Sequence, residues 1–86
     1  MAKYELLISQ SAEKTLKRLP KNDTSRVVAT IEKLAIDPRP QGCRKLSGEV
    51  DTYRVRVGVY RIIYQIEDQL LRILILKIGH RKEVYR

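Results

Sequence analysis

Between Tyr53 and Ile66 the chain reads YRVRVGVYRIIYQI, and on both sides of Gly58 the apolar positions recur every second residue. A period of two is what a half-buried strand requires, because successive side chains leave the backbone on opposite faces. Two such runs divided by a glycine predict a β-hairpin. On the first arm Tyr53, Val55 and Val57 share one face and Arg54 and Arg56 the other; on the second, Tyr60, Ile62, Tyr64 and Ile66 share one face, and Arg61, Ile63 and Gln65 the other. If the apolar and tyrosine set covers a core, Arg54, Arg56 and Arg61 line the opposite side together.

The rest of the chain frames this hairpin. Residues 2–8 predict a short strand with Leu6 and Ile8 inward. The period then changes: Ala12, Leu16 and Leu19 stand at i, i+4 and i+7, one face of a helix that Ser9 or Ser11 can cap and Pro20 closes. Val27, Val28, Ile31, Leu34 and Ala35 predict a second helix, capped by Asn22 or Asp23 and ended by Asp37 and Pro38. Residues 39–48, RPQGCRKLSG, read as a turn-rich connection. After the hairpin, Glu67 to Gln69 make a polar turn and Leu70 to Ile78 a central strand that Gly79 ends. The order β-α-α-β-β-β predicts an α+β fold: a single domain over residues 1–86, with a helical hairpin packed on one face of a small, mostly antiparallel four-stranded sheet.

Charge sharpens the reading of the other face. Lys and Arg number 18 against 10 Asp and Glu, a formal net charge of +8 and a pI near 9.9, which favours anionic partners. No carboxylate falls between Asp51 and Glu67, so nothing local along the chain neutralises the three arginines. Arginine suits phosphate because its planar fork donates paired hydrogen bonds and stays charged. The competing reading is an ordinary solvated strand face. The longest apolar run, Ile73 to Leu76, is far short of a membrane span, and no amino-terminal stretch resembles a signal peptide, so a cytoplasmic protein with no membrane role is expected. The lone Cys43 has no second Cys or His at ligand spacing and reads as structural; no metal or other cofactor is expected.

The sequence holds no conventional hydrolase kit, having one histidine and no nucleophile beside a base at a recognisable spacing. Cations and a tyrosine can still position a phosphodiester and stabilise charge in its transition state. On RNA the neighbouring 2′-hydroxyl is a built-in nucleophile. With LSGEVDTYRVRVGVYRIIYQI and the ending KIGHRKEVY, nearly the whole chain resembles the RelE/ParE superfamily of toxins, and within it the RelE-type messenger RNA interferases.

That resemblance implies the toxin of a type II toxin-antitoxin module: a metal-independent endoribonuclease that cuts mRNA in the ribosomal A site by 2′-hydroxyl attack and so inhibits translation. It implies a RelB-like antitoxin, small-subunit and mRNA contacts, and a heterotetrameric toxin-antitoxin complex that binds operator DNA. Carried over by position, the catalytic set is Arg54, Arg56, Arg61, Arg81 and Tyr85, with Arg44, Lys45, Lys77, His80 and Lys82 in contact with RNA or the ribosome. Arg54 and Arg56 stand where the well-studied bacterial member has lysines, and arginine is a poor general base because it keeps its proton. His80 is read as a contact rather than the base. Two other readings stay open: a ParE-type toxin that inhibits gyrase, and an inactive homologue that serves as an antitoxin or repressor partner.

Overall fold

A computed structural model describes residues 3–80. It contains strand β1 (Glu5–Ile8), helices α1 (Gln10–Arg18) and α2 (Lys21–Leu34), strands β2 (Arg44–Lys45), β3 (Thr52–Val57) and β4 (Tyr60–Glu67), a 3₁₀ turn (Asp68–Leu70), and strand β5 (Arg72–His80). One five-stranded sheet has the order β1-β5-β4-β3-β2. β1 runs parallel to β5, and the remaining pairs are antiparallel. The sheet thus gains one strand over the four expected. Arg44 and Lys45, placed by sequence in a loop, pair with Arg54 and Tyr53 as a two-residue edge strand, too short to show any alternation.

Each helix forms for a local reason. Ser9 caps α1, its hydroxyl accepting from the Ala12 amide at 3.0 Å and donating to the Leu76 carbonyl at 2.8 Å, which ties the cap to β5. The cap expected of Asn22 or Asp23 is absent, because α2 already begins at Lys21 with Pro20 at its N-cap. Proline lacks the N–H that a helix start would leave unpaired, so the two helices join with almost no loop. The Thr24 hydroxyl closes the junction onto the Leu16 and Leu19 carbonyls.

Ala12, Val27, Ile31 and Leu34 from the helices meet Tyr53, Val55, Ile62, Tyr64, Ile66, Ile73, Ile75 and Ile78 from the sheet in one core. Ile8 departs from its inward expectation and is 44% exposed. It ends the edge strand just before the chain turns at Ser9 into α1, beyond the cover of either helix.

The hairpin turns tightly. Val57 pairs with Tyr60, leaving a two-residue loop in which Gly58 adopts φ +60°, as the first position of a type II′ turn requires. The far end is held by a polar clamp. The Arg39 guanidinium meets Asp68 at 2.8 Å and donates to the Tyr53 hydroxyl at 3.1 Å, while the Tyr4 hydroxyl donates to Asp68 at 2.7 Å. Arg39, then Tyr4, hold the Asp68 carboxyl below its usual range. The clamp joins the α2–β2 connection, β3, the 3₁₀ turn and the chain's start. Beneath it the buried Tyr64 hydroxyl donates to the Pro38 carbonyl at 2.7 Å, and burial raises that phenol's pKa.

Candidate nucleic-acid interface

The register brings the cations together in rows across the sheet face opposite the helices. Arg44 pairs with Arg54, Arg54 with Ile63 and Ile63 with Lys77, which makes one row. Arg56 pairs with Arg61, and Arg61 with Gly79, which makes the next. Basic side chains therefore crowd two neighbouring rows at one end of the sheet. Like charges directly opposite each other cost stability.

The face is not evenly open. Arg56 is exposed, whereas Arg54 and Arg61 retain only 7% and 8% of their accessible surface. Position in the sheet accounts for the contrast. Arg54 lies on an inner strand because β2 adds Arg44 beside it, and Arg61 lies on β4, flanked by β3 and β5. Arg56 has no β2 residue alongside, since β2 ends after two pairs. Burial, then the nearby cations Arg56 and Arg44, lower the pKa of the Arg54 guanidinium. A guanidinium titrates so high that it remains charged at neutral pH. Arg54 is thus a largely desolvated, fixed cation with Arg56 and Arg44 nearby.

Beside Arg54 lies a shallow cleft of about 320 Å³, lined by Gln41, Gly42, Arg44, Val55 and Arg56 as well. Gln41 and Gly42 escaped the sequence reading. Gly42 has φ +92°, and the open space where its Cβ would stand leaves the cleft wall made of backbone. The only signal for it was the Gly in a turn-rich stretch.

Two of the expected contact residues lie elsewhere. Lys45 pairs with Tyr53, which faces the core, so it sits at the edge of the helix side rather than with the arginines. His80 pairs with Tyr60 on that same side, its ring edge-on to the Tyr60 ring at 6.3 Å and 79°. The Tyr60 hydroxyl in turn donates to Asp23 at 2.7 Å, and that bond raises the phenol's pKa. Asp23 also pairs with Arg26, whose guanidinium lies over Gly58 at the hairpin tip. Arg81, Lys82 and Tyr85 fall outside the described residues. Among the described residues no group of His, Cys, Asp and Glu side chains could hold a metal, and no helix is long and apolar enough to cross a membrane.

Comparison with known proteins agrees on what kind of chain this is. A family model described as "ParE toxin of type II toxin-antitoxin system, parDE" matches residues 6–85. The chain is 31% identical over 87 residues to Toxin RelG of Mycobacterium tuberculosis, the match covering 96% of this chain and 97% of that protein. It is 32% identical over 89 residues to Putative toxin RelE1 of Methanocaldococcus jannaschii, covering 98% and 97%. A chain of the archaeal RelE-RelB complex from Pyrococcus horikoshii superposes with a TM-score of 0.84 at 32% identity, covering 94% of this chain and 98% of its own length. Matched in sequence and in fold along almost its whole length, the chain belongs to the RelE/ParE superfamily of toxins of type II toxin-antitoxin systems.

Proposed function

We propose that this toxin is a ribosome-dependent endoribonuclease that cuts mRNA in the A site. The observation that carries the reading is the pair of arginine-rich rows, Arg44–Arg54 and Arg56–Arg61, on the sheet face opposite the helices. Such an array costs folding stability and is suited to phosphate. In the reaction the 2′-oxygen forms a bond to the adjacent phosphorus and the bond to the 5′-oxygen breaks. The products are a 2′,3′-cyclic phosphate and a 5′-hydroxyl. The 2′-hydroxyl loses a proton and the leaving oxygen gains one, so the step needs no metal and no external nucleophile.

Arg61, with Arg81, neutralises charge growing on the phosphoryl oxygens, and the exposed Arg56 grips the phosphate. Arg54, buried and permanently charged, holds the field of the site rather than taking the proton. Tyr85 stacks on a base or handles a proton. Lacking a strong acid/base pair, the protein depends on the ribosome to set the 2′-oxygen, phosphorus and leaving oxygen in line. A RelB-like antitoxin neutralises it in the cytoplasm, as the RelE-RelB complexes among its structural relatives suggest.

The ParE description of the matching family supports a second reading, inhibition of gyrase. One experiment divides the two: map cuts on a message with and without ribosomes, and assay gyrase supercoiling in parallel. Ribosome-dependent cuts with gyrase untouched are expected. Efficient cutting of naked RNA at the same positions, or gyrase poisoning without cuts, would overturn the proposal.

A further inference from the structure

The cleft beside Arg54 has two unlike walls: Arg44, Arg54 and Arg56 on one side, the neutral pair Gln41 and Gly42 on the other. The neutral wall is a tight turn. The Cys43 amide donates to the Pro40 carbonyl at 3.1 Å, and Gly42 has φ +92°, as the third position of a type II turn requires. Gln41 therefore stands exposed at the corner of that turn. Both flanks are tied down. Before the turn, the Tyr64 hydroxyl donates to the Pro38 carbonyl and Arg39 holds Tyr53 and Asp68; after it, Arg44 pairs with Arg54.

The backbone adds a second pair of polar groups. The Leu46 amide donates to the Thr52 carbonyl at 2.8 Å, so the main-chain groups of Thr52, and by alternation those of Arg54 and Arg56, point from β3 towards β2. Arg44 meets Arg54 there. Arg56 is next in the series, but β2 pairs only through Arg44 and Lys45, and the cleft lies where a partner of Arg56 would stand. Its N–H and C=O are thus directed into the cleft, a donor and an acceptor side by side.

From this geometry we infer that the cleft is a base-reading subsite for adenine, with Gln41 and the Arg56 backbone as its specificity-determining groups. The inference rests on the ribonuclease reading above: the arginines hold a phosphate of the message, and the cleft takes the base of an adjoining nucleotide. At about 320 Å³ the cleft stands at the small end of ligand pockets, with room for one base. A glutamine carboxamide pairs with adenine through N6 and N7. The Arg56 N–H and C=O complement N1 and N6 on the other edge, and the N6 amino group has one hydrogen for each wall. Guanine presents two acceptors, O6 and N7, to Gln41 and leaves the carboxamide oxygen without a donor. A peptide strand added to the β3 edge fits less well, because it needs a run of open main-chain positions. Between Arg54, already paired, and the turn at Gly58, only Arg56 offers one.

The test uses ribosomes carrying messages that differ only in the A-site codon, with each base in turn at each codon position, and measures single-turnover cleavage by the full-length toxin. Adenine at one position is expected to raise the rate about tenfold over the other bases there. Gln41→Ala should cut that preference to about twofold or less. Because the readout is a ratio between codons for one variant, a loss of folded protein lowers both rates and leaves the ratio unchanged. Lys33→Ala, exposed on α2 and outside the cleft, should keep the full preference. Equal cutting of all codons by the unaltered toxin would overturn the inference, as would a preference that survives Gln41→Ala or is lost in Lys33→Ala. A preference for any other base would overturn it too; guanine would make Arg44 the reader, through the arginine fork that O6 and N7 accept. Cuts without base preference sink the subsite alone, whereas the absence of ribosome-dependent cuts on every codon brings down the ribonuclease reading and the inference with it.

Discussion

Alternate residues of a single hairpin live under different rules in this molecule. On the helix side Val55, Ile62, Tyr64 and Ile66 are packed into the core, and their size and shape are set by the helices above them. On the other side the same two strands stack Arg54 beside Arg44 and Arg56 beside Arg61, an arrangement that packing does not ask for and that like-charge repulsion opposes. A fold tolerates such frustration where a ligand relieves it, so the costly face is the one to search for function.

The largest effect that could break this contrast is on the packed face. Ile62→Ala removes a side chain with 0% exposure and should lower stability by about 2 to 5 kcal/mol in chemical denaturation, without a specific effect on the folded fraction's chemistry. Next comes Arg61→Ala, expected to slow single-turnover cleavage on ribosomes by about a hundredfold while the protein stays folded. An unfolded Arg61→Ala together with a stable Ile62→Ala would show the faces to be reversed.

Smaller effects sharpen the comparison. If the arginine rows oppose folding, Arg56→Gln should raise stability by a few tenths to about 1 kcal/mol while it weakens substrate binding. A fall in stability would mean that the exposed Arg56 is held by interactions worth more than the repulsion. The Asp68 clamp offers a control away from both faces. Its carboxyl titrates below the ordinary value of 3.8 in the folded state, so its contribution is present above that value and fades as the pH falls through the depressed one. Asp68→Asn should therefore lower the melting temperature at neutral pH and lose that difference in acid. A difference that persists unchanged in acid would show that the charge of Asp68 contributes nothing.

How far the sequence spoke depended on the range of the interaction involved. The hairpin, its two faces and both helices follow from spacings within a few residues, and Gly58 marks the turn. Strand β2 was illegible because two residues show no period. The burial of Arg54 follows from β2, so it was hidden for the same reason. The apolar run marks β5 as a central strand, but alternation along it does not give its facing. Ile75 and Ile78 are both buried although they stand an odd step apart, because a register shift at Ile63/Tyr64 interrupts the alternation. Counting by twos along β5 thus loses the true side of everything beyond Leu76, His80 included. Arg81, Lys82 and Tyr85 lie past the described residues, and their roles rest on resemblance.

The smallest expected effect belongs to His80, the residue that a search for a general base would choose first, since an imidazole's ordinary pKa of about 6.5 suits proton transfer. The register argues against that choice. Pairing with Tyr60 turns His80 to the helix side, edge-on to the tyrosine ring, with the sheet between it and the Arg56–Arg61 row. A base must come within hydrogen-bond reach of the proton it takes, directly or through one water. At saturating ribosomes His80→Gln should thus change the single-turnover rate by less than about threefold, against the roughly hundredfold expected for Arg61→Ala. The pH profile of the unaltered toxin should contain no inflection that His80→Gln removes. An inflection that vanishes with the substitution would put the reacting phosphate on the helix side of the sheet, and the contrast between the two faces would then have to be drawn the other way.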